Sequence, residues 1–124
     1  MSRGRLPLVL WTGLIVLAVV PWANYQDHSH WPRVGWIPFV SSVVKVRDIA
    51  VNLLLYVPWG YFCARSFPAA SRRAWVVVGL ASALSIITEA SQIYSHGRFP
   101  SATDVTCNVL GALAGAWLSR RASR

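Results

Sequence analysis

The sequence predicts an all-α polytopic membrane protein, a bundle of four transmembrane helices with both termini cytoplasmic. Three observations carry this expectation. Hydrophobic residues make up 55% of the 124 positions and charged residues only 13%, where a soluble domain carries about 25% charged residues. The apolar residues gather into four runs, 6–22, 49–64, 74–94 and 105–118. All twelve cations and three of the four acids lie between the runs or at their ends, and Glu89 alone lies inside one. A bilayer sorts charge in this way, because a charge at mid-membrane costs roughly 2.5–3.5 kcal/mol. The length allows one domain, 1–124.

The net charge is +8. In a soluble chain that balance would suit nucleic acid. Here the cations flank apolar runs, with no basic stripe and no aromatic-basic interleaving, so no nucleic-acid partner is expected.

The first run, 6–22, follows Arg3 and Arg5 and reads as a leading transmembrane helix. A signal-peptidase cut after Ala23 would lack the small residue expected two positions earlier, where Pro21 stands, so an uncleaved anchor is expected. The loop 23–47 carries Tyr25, Trp31, Trp36 and Phe39, and Trp22 and Trp59 lie nearby in sequence. Such rings favour the membrane interface. Pro32 and Pro38 interrupt long helices there, leaving 39–46 for a short interfacial helix.

The runs 49–64 and 105–118 fall short of the about 20 residues of a straight span. Their flanks extend them. Asp48 and Asp104 can begin helices at headgroup level, where an acid suits the positive helix end. Arg65 and Arg120 can snorkel outward at the other end. Pro58 predicts a kink. The run 74–94 is long enough alone. The N-terminal tail, the second loop and the C-terminal tail hold Arg3, Arg5, Arg65, Arg72, Arg73, Arg120, Arg121 and Arg124, against Arg33, Lys45, Arg47 and Arg98 in the other two loops. The positive-inside rule therefore places both termini in the cytoplasm.

The cysteines are not expected to pair. Along their helices Cys63 and Cys107 lie roughly 22 Å and 4–5 Å from the same side, and a disulfide needs alpha carbons within about 7 Å.

Three polar pairs then converge. Asp48 and Asn52 open the second span, Glu89 and Gln92 close the third, and Asp104 and Asn108 open the fourth. Spacings of three or four put each pair on one helix face, and the alternating topology brings all three to the same outer depth. Glu89 lies roughly 7 Å below the interface, with Ser82 and Ser85 continuing its face. Gly111 and Gly115 share the face of Asp104 and Asn108, so that face is also a packing face. Arg47, His96 and Arg98 can reach the mouth of the cluster.

An intramembrane acid is a functional-site hypothesis by default. Carboxylates and amides can hold a hard cation, and arginines a phosphate or carboxylate. The competing reading is structural: acids that cap helices, amides that bridge them, and Arg98 paired with an acid. His28 and His30 could touch a metal, although two loop histidines two apart are more often solvent-exposed. No metal site and no cofactor are expected, and neither a nucleophile-base pair nor a phosphate loop is readable. Ser95-His96 does not establish a triad.

At these residues the chain resembles the VanZ-like family of bacterial membrane proteins. Ile37-Pro38-Phe39 opens the match. Asp48 to Gly60 resembles the family's Asp-x3-Asn-x5-Pro-x-Gly block, Glu89 to Gln92 its Glu-x2-Gln block, and Arg98 to Gly111 its Arg-x5-Asp-x3-Asn-x2-Gly block. The resemblance is strongest over 37–118. It implies a small helical bundle in the bacterial cytoplasmic (inner) membrane, in a family named for a protein linked to teicoplanin resistance. It carries over Asp48, Asn52, Glu89, Gln92, Arg98, Asp104 and Asn108 as the ligand-binding cluster. Many members have further acids where this chain has Ser101 and Thr103, which weakens a metal cage and favours a polar headgroup. The expected ligand is a membrane lipid, a lipid-linked envelope precursor or a glycopeptide antibiotic. Two alternatives stay open: a membrane enzyme acting on a lipid, with Glu89 as general acid or base and Arg98 holding the anionic group, or a structural, partner-binding subunit without ligand.

Overall fold

The computed structural model describes residues 5–40 and 45–124. Four long helices form the body: α1 (Arg5–Val19), α2 (Val46–Ser66), α4 (Ala74–Ser91) and α5 (Ala102–Ala122), with the short α3 (Pro68–Arg72) between α2 and α4. Single 3-10 turns lie at Trp31–Arg33 and Gln92–Tyr94. Among the described residues there is no β-strand, only two isolated bridges.

Helix ends follow local chemistry. Val20 still bonds the Val16 carbonyl at 3.1 Å, and Pro21, which has no N–H to give, follows. So α1 stops short of the expected 6–22. Conversely, α2 and α5 are each 21 residues long and outrun their apolar runs at both ends. Pro68 begins α3, where its missing N–H costs nothing. The stretch Ala74–Tyr94, α4 with its terminal turn, is long and apolar enough by length and composition to cross a membrane, while α1 is apolar but shorter.

The centre of the bundle is the α2–α5 pair, and glycine permits it. A Cβ on Gly115 would overlap the Val57 carbonyl oxygen, one on Gly60 the Ala112 carbonyl oxygen, and one on Gly111 would stand 2.6 Å from the Leu53 carbonyl oxygen. Small residues on both helices therefore bring the two backbones into direct contact. The Gly111–Gly115 face is spent inside the chain.

Two indole N–H groups tie α1 to α2. Trp11 Nε1 donates to the Leu55 carbonyl at 2.7 Å, and Trp59 Nε1 to Thr12 Oγ1 at 3.0 Å. The first lands on the carbonyl next to that of Leu54, which Pro58 leaves without its helical donor. Trp59, grouped by sequence with the interfacial rings, is instead buried in this core, whereas Trp22, Tyr25, Trp31, Trp36 and Phe39 are exposed. Arg120 also departs from expectation. It turns back onto α3, donating to the Ser71 carbonyl at 2.7 Å and the Ala70 carbonyl at 3.3 Å, where a cation meets the negative end of that short helix.

At the opposite end, the α1–α2 loop is stitched to the α4–α5 loop. Gln26 N–H donates to the Tyr94 carbonyl and His30 N–H to the Ile93 carbonyl, both at 2.8 Å. Gly35 N–H donates to the Pro100 carbonyl at 2.9 Å, and Ala102 N–H returns to the Gly35 carbonyl at 2.7 Å. The two loops together cap this end. Half of the expected helix over 39–46, residues 41–44, lies outside the described residues; of the rest, Phe39 is in a turn with φ 61°, Val40 and Lys45 are not helical, and Val46 opens α2. Arg3 lies outside them too. Cys63 and Cys107 are both free and buried.

Candidate functional site

The capped end holds the polar cluster. Asp48 and Asp104 do not cap their helices. Each is the third residue of its helix, in the first turn of α2 and of α5, where the exposed amide dipoles favour a carboxylate. The cap of α5 is Ser101, whose Oγ accepts from Thr103 N–H at 3.1 Å. In a capping box the acid at the third helical position would accept the Ser101 N–H. Here Glu89 of α4 accepts it, at 2.8 Å. Asp104 is thereby left free for the space above it, with the Asn52 amide beside it.

That space is a cavity of about 620 Å³, lined among others by Asp48, Gln92, Arg98 and Asp104. Four of the seven sequence-named residues thus meet on one wall. The other three do not line it. Asn52 is buried, Glu89 holds Ser101, and Asn108 Nδ2 donates to Ser85 Oγ at 2.8 Å, joining α5 to α4. Asn108 Oδ1 is buried without a partner among the described residues. Gln92 Nε2 lies 3.4 Å from the Val19 carbonyl and Arg98 Nη1 3.5 Å from that of Ala18. Both supply donors to the open C-terminal carbonyls of α1. Among the described residues no ion pair joins Arg98 to an acid of the cluster, contrary to the pairing in the structural reading.

Arg33, Lys45 and Thr103 also line this cavity, although the sequence did not place them in the binding cluster. Arg33 comes from the far loop, and its guanidinium sits 4.9 Å from the centre of the Phe99 ring. Thr103 Oγ1 accepts the Phe39 N–H at 2.9 Å. That bond holds a non-glycine residue in the left-handed region, a costly conformation for a bulky side chain. A one-dimensional reading has no signal for contacts that depend on loop stitching.

A second cavity of about 320 Å³ adjoins the first, sharing Gly35, Pro100 and Ser101 with it. Its walls include Trp31, Trp36, Ile86, Ile93 and Val105, and the Trp31 and Trp36 rings stack with an interplanar angle of 5°. Glu89 also lines it.

Beside the mouth, the stitched loops also gather His28, His30 and His96, with ring centroids 4.5–5.2 Å apart. His30 is buried, against the expectation of exposure, because its backbone and ring are held by Ile93. Desolvation, with the positive potential of His30, His28 and Arg33, holds His96 below the ordinary imidazole value. The His28 ring hydrogen-bonded to Asp27 holds that carboxylate below its usual range.

The arrangement defines a class: an all-helical bundle with a charged pocket at its loop-capped end, built from helix-terminal acids, amides and arginine. The family model described as VanZ/LLP1 matches residues 6–123. The chain belongs to that family, and the match takes in the leading helix as well as the 37–118 region. No curated protein and no solved structure matches the chain.

Proposed function

We propose that this VanZ/LLP1-family protein is a multi-pass protein of the bacterial cytoplasmic membrane that binds an anionic amphiphile of the cell envelope at its outward-facing end. The observation that carries this reading is the junction of the two cavities. A charged pocket with Arg33, Lys45 and Arg98 meets an aromatic, apolar groove along Gly35, Pro100 and Ser101. Cations and helix-terminal dipoles suit a phosphate or carboxylate headgroup. Asp48 and Asp104 can accept from its hydroxyl or amine groups, and the groove suits the first part of an acyl or prenyl chain. A lipid or lipid-linked precursor satisfies both cavities, and a glycopeptide with an apolar tail is the drug-like variant.

Membrane placement is supported by outward-facing Leu10, Leu17, Leu54, Trp75, Ile87 and Leu110, spread over all four long helices and more apolar than a water-facing surface tolerates. Crossing by α1, α2, α4 and α5 would put both termini on one side, and the arginine excess in the two tails and the second loop supports the cytoplasmic side. The enzyme alternative drew on Glu89 as acid or base; with one carboxylate oxygen engaged by Ser101, binding is the better-supported reading.

Native mass spectrometry in mild detergent tests it, comparing wild type with Arg98→Ala and Asp104→Asn. Wild type is expected to retain an amphiphile of defined mass that both variants lose while remaining folded. An adduct-free wild type, or an adduct indifferent to both substitutions, overturns the reading.

A further inference from the structure

The three histidines lie outside the pocket wall and the proposed ligand makes no use of them. One ring nitrogen from each of His28, His30 and His96 lies within 4.8 Å of the others. Around a tetrahedral zinc ion at about 2.0–2.1 Å, ligand nitrogens stand about 3.4 Å apart. Small side-chain rotations of two exposed rings, His28 and His96, close that difference.

The hydrogen bonds set the tautomers. His30 Nδ1 lies 3.1 Å from the Ile93 carbonyl oxygen, and His28 Nδ1 lies 2.9 Å from Asp27 Oδ1. A carbonyl and a carboxylate only accept, so both Nδ1 atoms carry the proton and Nε2 of each ring keeps its lone pair. Metal-bound histidines are oriented by carbonyl and carboxylate partners of this kind. The two partners come from different parts of the chain, as do the ligands themselves. His28 and His30 belong to the α1–α2 loop, and His96 to the α4–α5 loop.

We propose that His28, His30 and His96 bind one divalent transition-metal ion of the zinc class through three imidazole nitrogens, with Asp27 and the Ile93 carbonyl as orienting partners. The ion clamps the two loops that cap the amphiphile pocket and keeps a coordination position open to solution. Imidazole donors suit zinc, nickel and copper and disfavour calcium and magnesium.

The test is isothermal titration of the intact, chelator-treated protein in detergent with zinc chloride alone. The protein is purified through a tag free of histidine. Wild type is expected to bind one zinc per chain. His28→Ala and His96→Ala are each expected to weaken binding at least tenfold. Asp27→Asn is expected to weaken it about tenfold through the orienting bond. All three residues are exposed, so the variants fold, and circular dichroism verifies this. Calcium chloride is expected to give no heat. No zinc binding by wild type, or binding unchanged in both histidine variants, overturns the proposal. Neither result depends on whether the adjoining pocket holds an amphiphile.

Discussion

The Glu89 carboxylate accepts the backbone N–H of Ser101 at 2.8 Å, so an acid on α4 fills the role that Asp104 would take in a capping box of α5. The consequence is a division of labour between two acids. Glu89 secures the start of α5, and Asp104, in the first turn of that helix, faces the pocket.

Replacing Glu89 by alanine removes the acceptor of a partly buried N–H and is expected to cost about 2 kcal/mol. Glu89→Gln keeps a carbonyl oxygen in place and is expected to retain most of that stability. Thermal unfolding of the two variants in detergent micelles, followed by circular dichroism, separates them. Equal melting of both with wild type would remove the capping role.

Gly115 lies against the Val57 carbonyl, and the obstruction is backbone, which cannot swing aside. Gly115→Ala is expected to destabilise by about 2–3 kcal/mol. Gly13→Ala is the control, since a Cβ there has no neighbour within 4 Å and a helical alanine is favoured by about 1 kcal/mol. The two substitutions should shift the unfolding midpoint in opposite directions.

Trp11→Phe and Trp59→Phe each delete one indole donor between α1 and α2 while keeping an aromatic ring. Each is expected to cost about 1 kcal/mol from the lost bond, with some packing loss besides. Denaturant titration monitored by circular dichroism checks both. A cost confined to Trp59 would mean that the Leu55 carbonyl does not need the Trp11 donor.

Arg33 reaches the pocket from the α1–α2 loop, four residues before the motif match opens at Ile37. Arg33→Ala is expected to leave the fold intact and weaken retention of an anionic amphiphile about tenfold, the worth of one charge-assisted hydrogen bond. Native mass spectrometry against a zwitterionic lipid provides the comparison. Equal retention would confine the headgroup to Arg98 and Lys45.

The four long helices were legible in the sequence, because hydrophobic runs and charge placement are local properties that each segment expresses alone; α3 and the early end of α1 were not. The sequence also brought Asp48, Gln92 and Asp104 to one end, since spacings of three and four on alternating helices leave them a common depth, and it put Arg98 within reach of the mouth from the adjoining loop; all four line one cavity. It placed Gly111 and Gly115 on a packing face for the same reason. Tertiary structure alone decided the rest. Which acid caps α5 depends on α4 lying beside Ser101. Whether Trp59 sits at an interface or in the core depends on Thr12 of α1, and whether Arg120 points outward depends on α3. His96 meets His28 and His30 only because backbone bonds stitch together residues of two loops that lie more than sixty positions apart. Such contacts depend on the relative placement of rigid elements, and a periodicity read along one segment carries no information about the side chains of another.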